Sequence, residues 1–249
     1  MKELEPQTEI SIDNVLFATD FSPATATAFP YAVAIANRYH SKLYIAHVIN
    51  LESFDLLESE SARVMIKQAH DEAERKITPL LVPLRLQHDR YQVVIAEGVI
   101  SEVLMDLIQR NHIDLAVLGT HGRRAFKKLF MGSIAEEVFR MAPCPVLTVG
   151  PKTKSMPAKD GPRHILYPVE FAPDTSKAAQ YAVSLAERYS PTLTVMNVRE
   201  DMSASPNIAN QLVESAVRTL DERKRSFGIQ SARTSPLRKR IWSSSKLHS

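Results

Sequence analysis

The sequence is poor in features that mark secreted, membrane or disulfide-stabilised proteins. It contains one cysteine, Cys144, so no disulfide can form within the chain. It has no apolar run that approaches the roughly 18 residues needed to span a bilayer as a helix. Its first ten residues are acidic and lack the apolar segment of a secretory signal peptide. We therefore expect a cytoplasmic protein in a reducing compartment.

Motifs of several enzyme classes are also missing. No G-x-x-x-x-G-K-[ST] segment occurs, which argues against a P-loop NTPase, and no G-x-G-x-x-G follows the first predicted strand, which argues against a dinucleotide fold. There is no G-x-S-x-G elbow of a hydrolase and no pair of His and Cys residues at zinc-binding spacing. No residue stands out as a general base for an attacking water. We predict no catalytic residues and no protein-held metal.

The composition is that of a globular protein. Its hydrophobic residues make up 44% of the chain, which is typical of folded proteins. The length of 249 residues is enough for one large domain or two small ones. The formal net charge of +3 conceals an asymmetry, because residues 1–150 are mildly acidic and the remainder is basic. An acidic first part does not suggest a nucleic-acid-binding domain.

Apolar strands alternate with helices through the first 150 residues, which predicts an α/β fold with an open parallel five-stranded sheet and helices on both faces. Ser22 is the expected N-cap of the first helix, Pro23 its first residue, and Pro79 and Pro83 should kink or end the second helix. The predicted strands are 14–19, 43–49, 91–96, 115–118 and 145–149, and the predicted helices are 23–39, 58–78, 99–111 and 133–141.

The expected strand order is 3-2-1-4-5, with right-handed crossovers. In such sheets ligands bind beyond the carboxyl ends of the strands, where the order reverses. That position lies between strands 1 and 4, which end at Asp20 and Gly119. Two segments distant in sequence are therefore predicted to form one crevice.

A glycine-rich segment follows the fourth strand. Gly119, Gly122, Gly132 and Ser133 are spaced as Gly-x2-Gly-x9-Gly-Ser, and Ser133 begins a predicted helix. Glycines let backbone N–H groups approach an anion, and a helix N-terminus favours phosphate. The alternative is a strand–loop–helix connection that needs glycine for its shape alone.

The chain repeats itself at a shift of 150 residues. The segment 13–23 aligns without a gap with the segment 163–173, and Tyr31-Ala32-Val33 aligns with Tyr181-Ala182-Val183. The match covers the first strand, the first helix and the second strand, and no second glycine motif follows. We predict a complete domain at 10–150, a linker at 151–162, a truncated second repeat at 163–226 and a disordered basic tail at 227–249.

The glycine spacing resembles the ATP-binding signature of the universal stress protein family, and the tandem arrangement is similar to members with two domains. The resemblance implies an ATP-binding protein of the stress response that forms homodimers through the strand at 145–149. Because the Asp20 carboxylate would lie near the phosphates, we expect Mg²⁺ or Mn²⁺ to bridge the phosphate oxygens, and slow ATP hydrolysis stays open. Position by position, the resemblance implies nucleotide contacts at Ala18, Asp20, Val48, Leu118, Gly119, His121, Gly122, Gly132, Ser133 and Ile134.

Other functions and roles stay open at this point. The protein could be a nucleotide-free dimerising interaction module, or, with less support, a nucleotide-transferring α/β enzyme that shares this topology. Asp20 could serve only to cap the helix that follows it, and His121 could be an exposed loop residue. His47 lies within a strand, and we expect it in the core or the crevice wall rather than on a ligand.

Overall fold

The computed structural model describes residues 10–54, 59–82, 84, 88–120, 132–150, 153, 162–168, 175–189, 191–197, 229–232 and 240–244. The chain divides into two compact units, one of residues 11–159 and one that includes the residues from 160 onward. No helix within the described ranges is long and apolar enough to cross a bilayer.

The first unit is a five-stranded parallel sheet in the order β3-β2-β1-β4-β5, which confirms the predicted order. Short 3-10 turns lie at Leu51–Phe54 and His88–Arg90. The elements are β1 (Asn14–Ala18), α1 (Pro23–Tyr39), β2 (Lys42–Asn50), α2 (Ser59–Leu81), β3 (Tyr91–Gly98), α3 (Ile100–Arg110), β4 (Leu115–Gly119), α4 (Ser133–Met141) and β5 (Val146–Val149).

Helices cover both faces of this sheet. Phe17 packs on Phe29 of α1 with their ring centroids 5.1 Å apart. Its neighbour Leu16 points to the other face, as successive strand residues do, and joins a core that contains Leu104 of α3 and Val138 of α4. Strand β1 is therefore buried from both sides, which explains its unbroken apolar sequence.

Small side chains bring α1 close to the sheet. Ala28, Ala32 and Ala36, one helical turn apart, are fully buried along one side of α1. Ser22 is the N-cap, as predicted, since its Oγ accepts a hydrogen bond from the Thr25 N–H, and Pro23 begins the helix. This cap fixes the residue at which α1 starts, and it therefore fixes where the first turn of α1 lies at the carboxyl end of the sheet.

Helix α2 continues past Pro79 to Leu81, so Pro79 does not end it, and the alternative of a kink at Pro79 stays a prediction. A proline in the last turn removes a single helical hydrogen bond, so the helix can continue for two more residues. Pro83 lies outside the described residues.

The second unit begins with β6 (His164–Pro168), α5 (Thr175–Tyr189) and β7 (Thr192–Asn197). His164 pairs with Thr192 as Asn14 pairs with Lys42, a displacement of 150 residues in both strands. The Thr192 N–H donates to the carbonyl of Arg163, as the Lys42 N–H does to that of Asp13. This register supports the prediction of a partial second copy.

Two short strands, β8 (Ile229–Ala232) and β9 (Arg240–Ser244), extend the second sheet to the order β6-β7-β9-β8. They lie within 227–249, where the sequence predicts disorder, so for these residues the structure differs from the prediction. Composition could not indicate them, because an edge strand such as β7 recruits partners through its backbone and needs no apolar periodicity. Residues 198–226, the last part of the predicted second repeat, and nearly all of the linker lie outside the described residues.

Strand β6 is less covered than its counterpart. Leu166 is 56% exposed, whereas Leu16, at the equivalent position of β1, is 1% exposed. Leu16 is covered by α3 and α4, and the described part of the second unit has no helix equivalent to these.

Candidate functional site

A cavity opens where the strand order reverses, at the carboxyl ends of β1 and β4. Ala18 pairs with Leu118 in register, so the two strands end side by side. Beyond them lies a cavity of about 320 Å³. Eight of the ten residues predicted for the site line it, namely Ala18, Asp20, Val48, Leu118, Gly119, Gly132, Ser133 and Ile134. The other two, His121 and Gly122, lie outside the described residues.

Six further lining residues were missed by the sequence analysis, namely Thr19, Thr25, Ala46, Ile100, Leu104 and Ala135. Ile100 and Leu104 stand one helical turn apart at the start of α3, just after Gly98. A strand ending in glycine followed by an apolar pair at this spacing is the signal that could have found them. Thr25 had no such signal, because its position depends on how α1 meets the sheet.

The cavity has an apolar side and a polar side. Its apolar side is formed by Ala46 and Val48 of β2, Ile100 and Leu104 of α3, and Leu118 of β4. Its polar side carries one carboxylate, Asp20, and the hydroxyl residues Thr19, Thr25 and Ser133. A site of this kind suits a ligand with a flat apolar part and a polar part.

Asp20 occupies the turn between β1 and α1 and is half-buried. Its Oδ1 accepts a hydrogen bond from the Ser22 N–H at 2.9 Å and lies 3.2 Å from Oγ1 of Thr25. The carboxylate therefore supports the start of α1, as the alternative interpretation expected, and also lines the cavity. Asp20 thus both supports the start of the helix and lines the cavity.

The residue after Asp20 has an uncommon backbone conformation. Phe21 has φ of +60°, in the left-handed region that a bulky residue rarely adopts. Its N–H donates to Oγ1 of Thr19 at 3.0 Å, and its ring lies 4.5 Å from the ring of His47 between centroids. His47 lies beside this turn on β2, where it is half-buried and does not line the cavity, so it is in neither the buried core nor the crevice wall that its sequence position led us to expect.

Gly119 ends β4 against the first turn of α1. A Cβ atom at this position would lie 2.8 Å from the Thr25 backbone N and 2.9 Å from the Ala24 carbonyl carbon. Glycine is needed here because the helix backbone comes so close. This finding supports the shape-based explanation of Gly119, and it shows that the glycine sets how near α1 lies to the cavity.

Thr120 and Gly132 are hydrogen-bonded to each other beyond the end of β4. Thr120 donates its N–H to the Val149 carbonyl, and the Gly132 N–H donates to the Thr120 carbonyl. Gly132, the N-cap residue of α4, makes no side-chain cap hydrogen bond, and Ser133 begins the helix at the cavity. The first N–H groups of a helix have no acceptor within it, so this end of α4 favours an anion.

The thiol of Cys144 lies outside the cavity. Burial raises the pKa of the Cys144 thiol, with the Asp114 carboxylate adding to the effect, so the thiol stays protonated at neutral pH. Cys144 packs against the core rather than lining the cavity. Among the described residues, no group of three or more His, Cys, Asp or Glu side chains is placed to hold a metal ion.

A sequence model of the universal stress protein family matches residues 11–150, more than half of the chain. The chain belongs to the universal stress protein family. The matched residues are those of the five-stranded unit and its cavity.

Individual relatives agree with this assignment. A universal stress protein of Methanocaldococcus jannaschii is 27% identical over 139 residues, which cover 54% of this chain and 80% of the relative. A Staphylococcus aureus protein named for the same family is 29% identical over 163 residues, which cover 62% of this chain and 92% of that one. A solved universal stress protein from Archaeoglobus fulgidus covers 84% of this chain and 75% of its own, with a TM-score of 0.59. At 17% identity, that likeness shows the fold alone.

Proposed function

We propose that this universal stress protein binds ATP in the cavity between β1 and β4 and acts in the stress response as a nucleotide-binding regulator rather than a fast enzyme. One observation carries the proposal. Eight residues chosen from the sequence, on segments that end β1 and β4, cross β2 and begin α4, surround a single cavity. Its volume of about 320 Å³ lies at the lower end of ligand pockets.

Each side of the cavity would hold one part of the nucleotide. The adenine would pack against the apolar side, formed by β2, α3 and β4. The Asp20 carboxylate would accept hydrogen bonds from the ribose hydroxyls. The phosphates would lie at the N-terminus of α4, against Gly132, Ser133 and Ile134. His121 and Gly122 complete the proposed phosphate contacts, from outside the described residues.

A divalent cation fits this arrangement only as a companion of the nucleotide. Asp20 is the one carboxylate among the described residues that line the cavity. Mg²⁺ keeps several waters and is held by one or two carboxylates together with phosphate oxygens, so a protein cage is not required. We therefore propose that Mg²⁺ or Mn²⁺ enters with ATP, which predicts no tight metal binding in the absence of the nucleotide.

Calorimetry with the full chain, ATP and Mg²⁺ tests the proposal. Ala18 lines the cavity at the end of β1, so Ala18→Leu should fill part of the space and weaken ATP binding at least about tenfold. The matched control is Ala62→Leu on α2, a half-buried position that does not line the cavity, and it should leave the dissociation constant unchanged.

Two results would contradict the proposal. If the wild-type protein shows no heat of binding with ATP, the nucleotide function is wrong, and a nucleotide-free interaction module becomes the better explanation. If Ala18→Leu and Ala62→Leu both bind as the wild type does, ATP binds elsewhere.

We also propose that the protein forms homodimers through β5, the edge strand of the first sheet. The carbonyls of Pro145 and Val149 accept hydrogen bonds from the N–H groups of Ala116 on β4 and of Thr120 just after it. Because backbone groups alternate along a strand, those of Val146 and Thr148 point to the outer edge. An outward row of donors and acceptors invites pairing with another chain.

Thr148→Pro should therefore shift the protein from dimer to monomer, because proline removes an outward N–H while leaving the bonds to β4. Thr148→Val keeps the N–H and is the control. Light scattering coupled to size exclusion measures the mass, and circular dichroism checks that both variants fold. Equal masses for the two folded variants would show that this edge is not the interface.

A further inference from the structure

The turn that carries Asp20 is a strained element that other residues must hold in place. A left-handed conformation costs a residue with a side chain roughly 1–2 kcal/mol, and Phe21 adopts it with φ of +60°. Such conformations persist only where the surroundings enforce them, and they concentrate at functional sites. The turn lies next to the cavity, because Thr19 and Asp20 both line it.

His47 holds this turn from the β2 side. Its Nδ1 lies 2.8 Å from the Thr19 carbonyl oxygen, and since a carbonyl can only accept, Nδ1–H is the donor. The imidazole ring also lies against the Phe21 ring, at 4.5 Å between centroids and 41° between planes. The far side of the turn is approached by Lys76 of α2, whose Nζ lies 5.6 Å from the Phe21 ring centroid.

Hydroxyl groups connect the same turn to the carboxylate. The Phe21 N–H donates to Oγ1 of Thr19, which lies 3.1 Å from Oγ1 of Thr25. The Thr25 hydroxyl in turn lies 3.2 Å from Oδ1 of Asp20 and 2.9 Å from the Ser22 carbonyl oxygen, and its single hydrogen is shared between these two acceptors. Thr19 therefore joins His47 to Asp20, because its carbonyl binds the imidazole and its hydroxyl begins the chain that ends at the carboxylate.

We propose that His47 is a positioning residue for nucleotide binding, which fixes Asp20 by holding the Thr19 carbonyl without itself contacting the ligand. The proposal rests on the nucleotide function proposed above. It assigns a role to a residue that does not line the cavity, and that role depends on one hydrogen bond, from Nδ1–H to the Thr19 carbonyl.

Two substitutions separate that hydrogen bond from general packing. The amide nitrogen of asparagine stands as many bonds from Cβ as Nδ1 of histidine does, so His47→Asn keeps a donor at the required place. His47→Leu has no donor. Both variants lose the ring contact with Phe21, and leucine is the better strand residue, so an effect on stability alone would not favour His47→Asn.

The variants are compared by calorimetry with ATP and Mg²⁺ and by the backbone chemical shifts of residues 19–21 in the ligand-free protein. We expect His47→Leu to weaken ATP binding about tenfold and to move the Phe21 shifts away from left-handed values. The ATP dissociation constant of His47→Asn should stay within about threefold of the wild-type value. The backbone chemical shifts of residues 19–21 should match those of the wild type in this variant.

The two measurements distinguish a failure of this inference from a failure of the proposed function. If His47→Leu retains the wild-type shifts at residues 19–21, His47 does not hold the turn and the inference is overturned, whatever the affinity. If His47→Leu moves the shifts but binds ATP as the wild type does, the turn does not position Asp20 for the ligand and the inference also fails. If the wild type does not bind ATP, the proposed function fails, and the positioning role for nucleotide fails with it.

Discussion

Replacing Gly119 with alanine is expected to abolish measurable ATP binding and to lower the free energy of unfolding by about 2–3 kcal/mol, the upper part of the range for overpacking. The added Cβ would lie 2.8 Å from the backbone N of Thr25 and 2.9 Å from the carbonyl carbon of Ala24. Both neighbours are backbone atoms of α1, which cannot move aside as a side chain can. The helix must shift, and it carries with it the Thr25 wall of the cavity.

Gly150 offers a matched control at the end of the neighbouring strand. A Cβ there would meet Thr153 Oγ1 at 3.6 Å and Thr120 Oγ1 at 3.8 Å, which are ordinary contacts. Gly150→Ala should therefore change stability by no more than about 0.5 kcal/mol and keep ATP binding. Urea unfolding and calorimetry measure the two effects, and equal stability of the two variants would show that the approach of α1 to β4 is not as tight as described.

A second large effect is expected at the opposite end of the sheet. Oδ2 of Asp114 accepts hydrogen bonds from the backbone N–H groups of Asp13 and Asn14, at 2.8 and 2.9 Å, and so joins the start of β1 to the start of β4. Hydrogen bonds to a charged group contribute about 1.5–3 kcal/mol each, so Asp114→Ala should cost about 3 kcal/mol or more.

The comparison is Asp106→Ala, which removes a carboxylate that forms an exposed ion pair with Arg110 on α3. Such pairs contribute less than about 1 kcal/mol. Chemical denaturation should therefore separate the two variants clearly. Because Asp114 lies away from the cavity, its variant should bind ATP normally under conditions where it is folded, and a loss of affinity in folded protein would contradict this separation of roles.

The strand order and the place of the cavity followed from the sequence because they depend on local patterns. Alternating strands and helices admit few topologies, and Asp20 and Gly119 mark two strand ends that the topology brings together. Thr25 could not be found in this way, since its position depends on how α1 meets the sheet.

The glycine motif shows the limit of motif-based inference. The sequence left open whether Gly119 lets backbone N–H groups approach an anion or serves the shape of the connection, and the structure shows that its lack of a side chain admits the first turn of α1. A spacing pattern states which residue type is required and does not state which neighbour requires it. Strands β8 and β9 illustrate the same limit, because their pairing depends on an available strand edge rather than on their own composition.

The identical register of β1 with β2 and of β6 with β7 has a consequence for how the chain reaches its native state. Two strand–helix–strand segments that pair alike can compete for the same partners while both are incomplete, a known route to misassembly in proteins with repeats. The competition is unequal, because β1 is apolar and covered on both sides, whereas His164, Leu166 and Pro168 of β6 are exposed. The first copy is also synthesised first, so β6 leaves the ribosome after β1 has taken the central position of the first sheet.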